Sequence, residues 1–81
     1  MFHTEWSNMM HTYQRLRDLR EDHDKKQEAI AEVLGISRQQ YQLYESGKRE
    51  LPMHHFLVLA RYYNVSLDYL AGLVDTPKKL Y

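Results

Sequence analysis

The segment from residue 27 to residue 45 constrains the fold of this chain more than any other. Its first part, Gln27 to Leu34, carries apolar residues at three- and four-residue spacing, the pattern of a helix with one buried face. Gly35 follows, and glycine ends helices well because it adopts the left-handed backbone conformation at little steric cost. Ser37, with Gln40 three residues later, has the capping-box spacing that begins a new helix, which should run to about residue 45. Two short helices joined by such a tight turn form a helix-turn-helix.

The rest of the chain also has the pattern of short helices. Only three glycines and two prolines interrupt its 81 residues, and no long run alternates between polar and apolar. We expect a first helix over about residues 12–22, a fourth with Pro52 in its first turn, and a fifth that begins after Ser66. Asp24 is expected to cap the second helix, with Gln27 completing a capping box. The predicted fold class is all-α, a compact bundle of five short helices.

The length allows one small domain with a single core. We assign residues 12–75 to this domain. Residues 1–11 are expected to form an N-terminal extension that is partly disordered, and residues 76–81 a C-terminal tail.

Composition narrows the function without deciding it. Eleven acidic residues balance eleven basic ones, so any attraction to a polyanion must come from the distribution of charge. The chain has no cysteine, which excludes disulfides and thiolate metal sites and fits a reducing cytoplasm. No apolar run approaches the roughly 20 residues that cross a bilayer, and the first ten residues do not have the pattern of a signal peptide.

Residue pairs that could suggest an enzyme or a metal site have simpler interpretations. Carboxylates one turn apart on an exposed helix face are usually solvated, serines before helices are better explained as caps, and adjacent histidines do not share a helix face. We therefore predict no enzymatic activity, no metal and no cofactor. The residues concerned are the carboxylates Glu28 and Glu32, the two separate serines Ser37 and Ser66, and the histidines His54 and His55.

Several short motifs recur in one order and spacing that together are specific. From Leu16 to Asp75, about three quarters of the chain, the sequence closely resembles the Cro and phage-repressor type of helix-turn-helix domain, the XRE family. The resemblance implies a lambda-repressor-like fold and a bacterial or phage DNA-binding protein. The residues that carry it are Leu16, Leu19-Arg20-Glu21, Gln27-Glu28-Ala29-Ile30-Ala31, Leu34-Gly35-Ile36-Ser37, Tyr44-Glu45-Ser46-Gly47-Lys48-Arg49, Pro52, Leu59-Ala60 and Val65-Ser66-Leu67-Asp68-Tyr69-Leu70.

The resemblance also implies roles for individual residues. Gln27 would bind a DNA phosphate, Lys48 and Arg49 would contact the DNA backbone, and Arg20 would form a buried ion pair with Glu45. The residues that would contact bases from the third helix are Arg38, Gln39, Gln40, Gln42 and Leu43.

The sequence departs from the family pattern just before the second helix. Lys25 and Lys26 stand where the family usually has an apolar residue followed by Thr or Ser. This departure removes a small core contact and the family's usual cap at the start of the second helix. It also adds two positive charges near the expected path of the DNA phosphates, so we include both lysines in the predicted phosphate set.

The chemistry of the third helix suits base recognition. Arg pairs with guanine O6 and N7, Gln with adenine N6 and N7, and an apolar side chain such as Leu43 can pack on a thymine methyl. The first turn of a recognition helix enters the groove, and Arg38, Gln39 and Gln40 lie there. We expect the acids of the first two helices to lie on the far side of the domain, so that a neutral protein is electrically polar.

The chain contains seven tyrosines, an unusual number for its length. Three of them, Tyr62, Tyr69 and Tyr81, could form an apolar patch towards the C-terminus with Leu73, Val74 and Leu80, and this patch could mediate dimerisation. They could equally complete a small core, with the hydroxyls of Tyr41, Tyr44 and Tyr63 at its edge.

The sequence therefore predicts a sequence-specific transcriptional regulator, a repressor, that binds a two-fold symmetric operator as a homodimer. One alternative is the antitoxin of a toxin–antitoxin pair, with the toxin as protein partner. Another is a protein-interaction module that does not bind DNA. Substituting residues in the third helix distinguishes the DNA-binding interpretations from the last one.

Overall fold

The computed structural model describes the backbone of residues 3–76 and the side chains of residues 13–76. Five helices and no strand lie within residues 3–76, so the predicted all-α fold class is confirmed. The helices are α1 (His3–Asp22), α2 (Gln27–Leu34), α3 (Arg38–Glu45), α4 (Met53–Tyr63) and α5 (Leu67–Leu70).

The helix-turn-helix pair has the predicted bounds and turn. Gly35 ends α2 with φ 71°, and the Ser37 side chain accepts a hydrogen bond of 3.1 Å from the backbone N–H of Gln40. Ser66 caps α5 in the same way, through the N–H of Tyr69. Both caps satisfy a backbone donor that the first turn of a helix leaves unpaired.

The predicted cap of α2 is wrong. Lys26 occupies the N-cap position and its side chain makes no capping hydrogen bond. Asp24 has φ 55° and its N–H donates to the carbonyl of Glu21, so it closes the end of α1 instead. Asp is among the few non-glycine residues that tolerate this left-handed conformation, which explains its place in the turn.

The first helix starts earlier than the sequence suggested. It begins at His3, whereas the periodicity predicted a start near residue 12. The backbone of the extension assigned to residues 1–11 is thus continuous with α1 from His3, and its partial disorder stays a prediction. Of the predicted tail, residues 77–81 lie outside the described residues.

One core lies between all five helices. Helix α2 packs against α3 and α4, while α1 packs against α3 and α5. The largest side chains that are fully buried are Leu16, Ile30, Tyr41, Leu59 and Leu70, one from each helix. Because α1 and α2 both contact α3, they hold the helix that carries the predicted base-contacting residues.

Candidate nucleic-acid interface

Helix α3 has one buried face and one exposed face. Arg38, Gln39 and Gln42 are exposed and Leu43 is half-buried, so four of the five predicted base-contacting residues lie on or beside the exposed face. The helix therefore presents a guanidinium, two amides and an apolar group while it packs through its other side. The residues of its buried face are Tyr41, Tyr44 and Glu45.

Gln40, the fifth residue predicted to contact a base, does not lie on the exposed face. It is half-buried, and its Nε2 donates to the Tyr44 hydroxyl at 3.3 Å. Successive helical residues are rotated by about 100°, which places Gln40 at the edge of the exposed face, one turn before Tyr44. Nor does its side chain return to Ser37, so only the Ser37 half of the predicted capping box is present.

The C-terminal end of α3 is held to α1 by an ion pair with two hydrogen bonds. Arg20 donates from Nε to Glu45 Oε2 at 2.8 Å and from Nη2 to Glu45 Oε1 at 2.9 Å. The Arg20 side chain is 14% exposed and that of Glu45 only 5%. Its remaining nitrogen, Nη1, donates to the carbonyl of Lys25 at 2.9 Å, which ties the loop before α2 to the same pair. Because the planar guanidinium of Arg20 makes two hydrogen bonds to the Glu45 carboxylate, it fixes the orientation of the carboxylate as well as its distance.

Gln27 connects this ion pair to the exposed face of α3. Its Nε2 donates to Glu45 Oε1 at 3.1 Å, and its Oε1 accepts a long hydrogen bond of 3.4 Å from Arg38 Nη1. The predicted phosphate-binding residue therefore lies between a buried carboxylate and a predicted base-contacting arginine. It is half-buried at the start of α2.

The ionisation of the pair reflects its partners. Burial raises the pKa of the Glu45 carboxyl, but the hydrogen bonds from Arg20 and Gln27 outweigh burial and hold the pKa below its usual range. The hydrogen bond to Glu45 in turn raises the pKa of the Arg20 guanidinium against the effect of its burial. Both groups are therefore charged near neutral pH.

The remaining predicted phosphate contacts lie around α3. Lys25, Lys26, Lys48 and Arg49 are all exposed. The backbone N–H groups of Lys48 and Arg49 both donate to the carbonyl of Leu43, at 3.0 and 3.1 Å, so the turn that carries these cations is fixed to the last turn of α3.

Similarity to known proteins agrees with this geometry. Residues 16–70, about two thirds of the chain, match a family described as helix-turn-helix. The chain belongs to the helix-turn-helix family. Within this family its similarity is to the Cro and phage-repressor type that the sequence motifs indicated.

One curated helix-turn-helix relative is the uncharacterized HTH-type transcriptional regulator YobD of Bacillus subtilis strain 168. It is 44% identical to this chain over 64 residues, which make up 79% of the chain and 57% of the relative. The chain thus corresponds to little more than half of that relative's length. No solved structure matches the chain significantly.

Sequence reasoning missed a contact between α1 and the turn after α3. Gly47 has φ 82°, and a Cβ atom at this position would lie 2.5 Å from the Tyr13 ring. The ring therefore packs directly on the glycine backbone, next to Lys48. The family motif marks Gly47, but periodicity alone does not say which side chain covers it.

A second missed contact joins α1 to the C-terminal end of the domain. The Arg15 guanidinium lies 4.0 Å from the centre of the Tyr69 ring. It also donates to the carbonyl of Val74 at 3.2 Å and to Asp75 at 3.3 Å. Such a stacked and hydrogen-bonded arginine fixes the segment after α5 against α1.

Two buried tyrosine hydroxyls lie near the ion pair. The sequence had suggested a position at the edge of the core for them. Those of Tyr41 and Tyr63 have no hydrogen-bond partner among the described residues. Burial raises the pKa of both phenols, and the negative charge of Glu45 raises it further. The hydroxyl of Tyr44 does have a partner, Gln40.

In the described part of the chain, no group of three or more histidine or acidic side chains is arranged to hold a metal ion. His55 is buried against Tyr44 and its ring lies 4.1 Å from that of exposed His54; burial, and then the neighbouring His54, lower the pKa of His55. None of the described helices is long and apolar enough to cross a membrane.

Proposed function

We propose that this chain is a sequence-specific DNA-binding transcriptional regulator, a repressor that inserts α3 into the major groove of a two-fold symmetric operator. The observation that carries the proposal is the orientation of α3. Its exposed face presents Arg38, Gln39 and Gln42, while the ion pair of Glu45 with Arg20 fixes the opposite face. Membership of the helix-turn-helix family and the transcriptional-regulator name of the relative support it.

The chemistry of this exposed face suits base recognition. Arg38 can donate two hydrogen bonds to a guanine, and Gln39 or Gln42 can pair with an adenine. Leu43, half-buried one turn beyond Gln39, suits a thymine methyl. Gln40 can contact a base only if its side chain breaks the hydrogen bond to Tyr44. We therefore expect it to contribute less to base recognition than the other four residues.

Backbone contacts would supply most of the affinity. Lys25 and Lys26 precede α2, and Lys48 and Arg49 follow α3, all with exposed side chains that make no described hydrogen bond. Gln27 adds a neutral donor at the N-terminus of α2, where the helix dipole favours a phosphate. These contacts position α3 without selecting a sequence.

The second copy needed for a symmetric operator would bind through an apolar surface on α4 and α5. A groove between these helices is lined almost entirely by apolar groups, including Met53, Phe56, Leu67 and Leu73. Exposed apolar surfaces of this kind commonly mediate subunit contacts. A dimer would place two α3 helices about 34 Å apart, one turn of DNA.

The same groove supports a second candidate, an antitoxin or interaction module whose partner is another protein. Its apolar lining would accept a toxin or another chain as well as a second copy. The two candidates differ in the oligomeric state of the purified protein. A homodimer forms from this chain alone, whereas the antitoxin or interaction module needs its partner protein to form a complex. Light scattering across a concentration series distinguishes them.

The function is tested by removing the predicted base contacts. The double variant Arg38→Ala/Gln39→Ala should lose sequence-specific binding while its helical circular dichroism and melting temperature remain those of the parent. The matched control, Gln14→Ala/Arg61→Ala, removes the same two exposed residue types from α1 and α4. Equal binding by all three proteins would contradict the proposal.

A further inference from the structure

A polar groove runs between α1, the start of α2 and the last turn of α3. It contains one base-contacting residue and one phosphate-contacting residue of the proposed function, Gln42 and Gln27. It also contains an arginine to which neither the sequence nor the family motif gives a role, Arg17. The complete lining is Arg17, Arg20, Gln27, Gln42, Glu45 and Ser46.

We propose that Arg17 binds a DNA phosphate in this groove and releases Glu21 when it does so. The inference rests on the proposed function, because it adds a contact to the same DNA-binding face. The ligand is a backbone phosphodiester, so Arg17 contributes affinity and position and does not select bases.

Arg17 is the cation of the groove that is free to change partner. The neighbouring Arg20 is committed through all three of its nitrogens, to Glu45 and to the carbonyl of Lys25. Arg17 makes a single contact, from Nε to Glu21 Oε2 at 3.4 Å, and its side chain is 65% exposed. A charge-assisted hydrogen bond is normally 2.7–2.9 Å, so this contact is long and weak.

Glu21 itself stands between two arginines. Its Oε2 lies 3.4 Å from Arg17 and 4.0 Å from Arg20. The acids of the first two helices were expected on the far side of the domain, but Glu21 lies close to the end of α3, because the same Arg20 contacts Glu45. A phosphate that replaces Glu21 at Arg17 leaves this carboxylate close to the second arginine, which limits the cost of the exchange.

The groove offers further donors beside Arg17. The Gln42 side chain is exposed and makes no hydrogen bond in the described part of the chain. Gln27 uses its amide for one hydrogen bond to Glu45, and a second N–H remains. A phosphate oxygen seated here would therefore meet a guanidinium and up to two amides, a combination that recognises phosphate in DNA-binding proteins.

The test measures affinity and its salt dependence for two duplexes, the selected operator and an unrelated sequence. Arg17→Ala should weaken binding to both duplexes by a similar factor, roughly tenfold, and reduce the slope of log affinity against log salt by about 1. Arg61→Ala removes another exposed arginine, on α4, and should change neither quantity. Unchanged melting temperatures would show that the effect is on binding.

Glu21→Gln tests the exchange itself. This variant frees Arg17 before DNA arrives and should bind both duplexes more tightly than the parent does. Glu32→Gln removes the same charge from an exposed site on α2 and corrects for the general electrostatic gain. In the Arg17→Ala background, Glu21→Gln should add no more than Glu32→Gln does.

The outcomes separate this inference from the proposed function. If Arg17→Ala keeps the affinity and salt slope of the parent while Arg38→Ala/Gln39→Ala loses the operator, the role of Arg17 is overturned and the function stands. If Glu21→Gln gains no more than Glu32→Gln in the parent, the exchange is overturned. If the parent prefers no duplex sequence, the proposed function fails, whether or not Arg17 contributes to non-specific binding.

Discussion

The guanidinium of Arg20 on α1 and the carboxylate of Glu45 on α3 form two parallel hydrogen bonds, of 2.8 and 2.9 Å, beneath the exposed face of the helix-turn-helix. Gln27 at the start of α2 donates to the same carboxylate at 3.1 Å. Three helices therefore converge on Glu45. Together with the packing of Tyr41 and Tyr44, this side chain and its donors fix the orientation of α3, on which the proposed function depends.

Breaking this pair should destabilise the domain strongly. Removing one partner of a buried ion pair leaves an uncompensated charge, which typically costs about 3 kcal/mol or more. We expect Arg20→Met to lower the free energy of unfolding by about this amount, measured by urea denaturation. Arg17→Met, on the exposed face of the same helix, is the matched control and should change stability little. A near-neutral Arg20→Met would mean that the pair does not hold α3.

The pair also predicts a loss of stability in acid. The pKa of Glu45 is lower in the folded chain than its ordinary value of 4.5, so the unfolded state takes up a proton first as the pH falls. The stability contributed by Glu45 is therefore complete above about pH 4.5 and is lost as the pH falls through the folded pKa. Urea unfolding between pH 7 and pH 3 measures this. The Glu45→Gln variant should show a shallower decline over the acid range, and an equally steep decline would contradict the assignment.

Two glycines with positive φ provide a matched pair of substitutions. Gly35→Ala forces a left-handed alanine into open space, with no atom within 4 Å of the new Cβ, and should cost about 1–2 kcal/mol. Gly47→Ala adds a collision with Tyr13 at 2.5 Å and should cost clearly more. Thermal unfolding of both variants gives the comparison. Tyr13→Ala should reduce the cost of Gly47→Ala; equal costs with and without Tyr13 would show that the ring does not pack there.

Lys26 at the N-cap of α2 predicts opposite effects on folding and binding. Serine at this position can accept a hydrogen bond from the first turn, so Lys26→Ser should raise the free energy of unfolding by about 1 kcal/mol. It also removes a proposed phosphate contact, so DNA affinity and its salt slope should fall. Denaturation and binding titrations on one preparation test both effects. Lys25→Ser, one residue earlier, should weaken binding without the gain in stability.

Local chemistry made the helix-turn-helix predictable. Gly35 and Ser37 act within a few residues of themselves, through a left-handed turn and a side-chain cap, so their consequences can be derived from the sequence. The same holds for Ser66. The helix boundaries that depend on such short-range interactions agree with the structure.

Features that depend on neighbouring helices were less predictable. Asp24 has the residue type and the spacing of an N-cap for α2, but its backbone conformation is determined by the end of α1. Gln40 lies on the polar part of α3, yet the position of Tyr44 makes it half-buried. The contact of Tyr13 with Gly47 spans two elements and leaves no periodic pattern.

The candidate site was predictable as a set of residues but not as a network. The family motifs predicted the pair of Arg20 with Glu45 and, separately, a role for Gln27. Only the structure shows that Gln27 lies between Glu45 and Arg38, and that Arg17 lies beside the same groove. Arg17 belongs to no motif, so only its position in space draws attention to it.

Selection of bound sequences from a random duplex library, carried out at low and at moderate salt, tests operator recognition by α3 most directly. The proposed function predicts that one motif is recovered at both salt concentrations, with two inverted halves about one helical turn apart. Recovery of no motif, with binding that disappears as salt rises, would contradict it, because phosphate attraction alone would then explain the affinity.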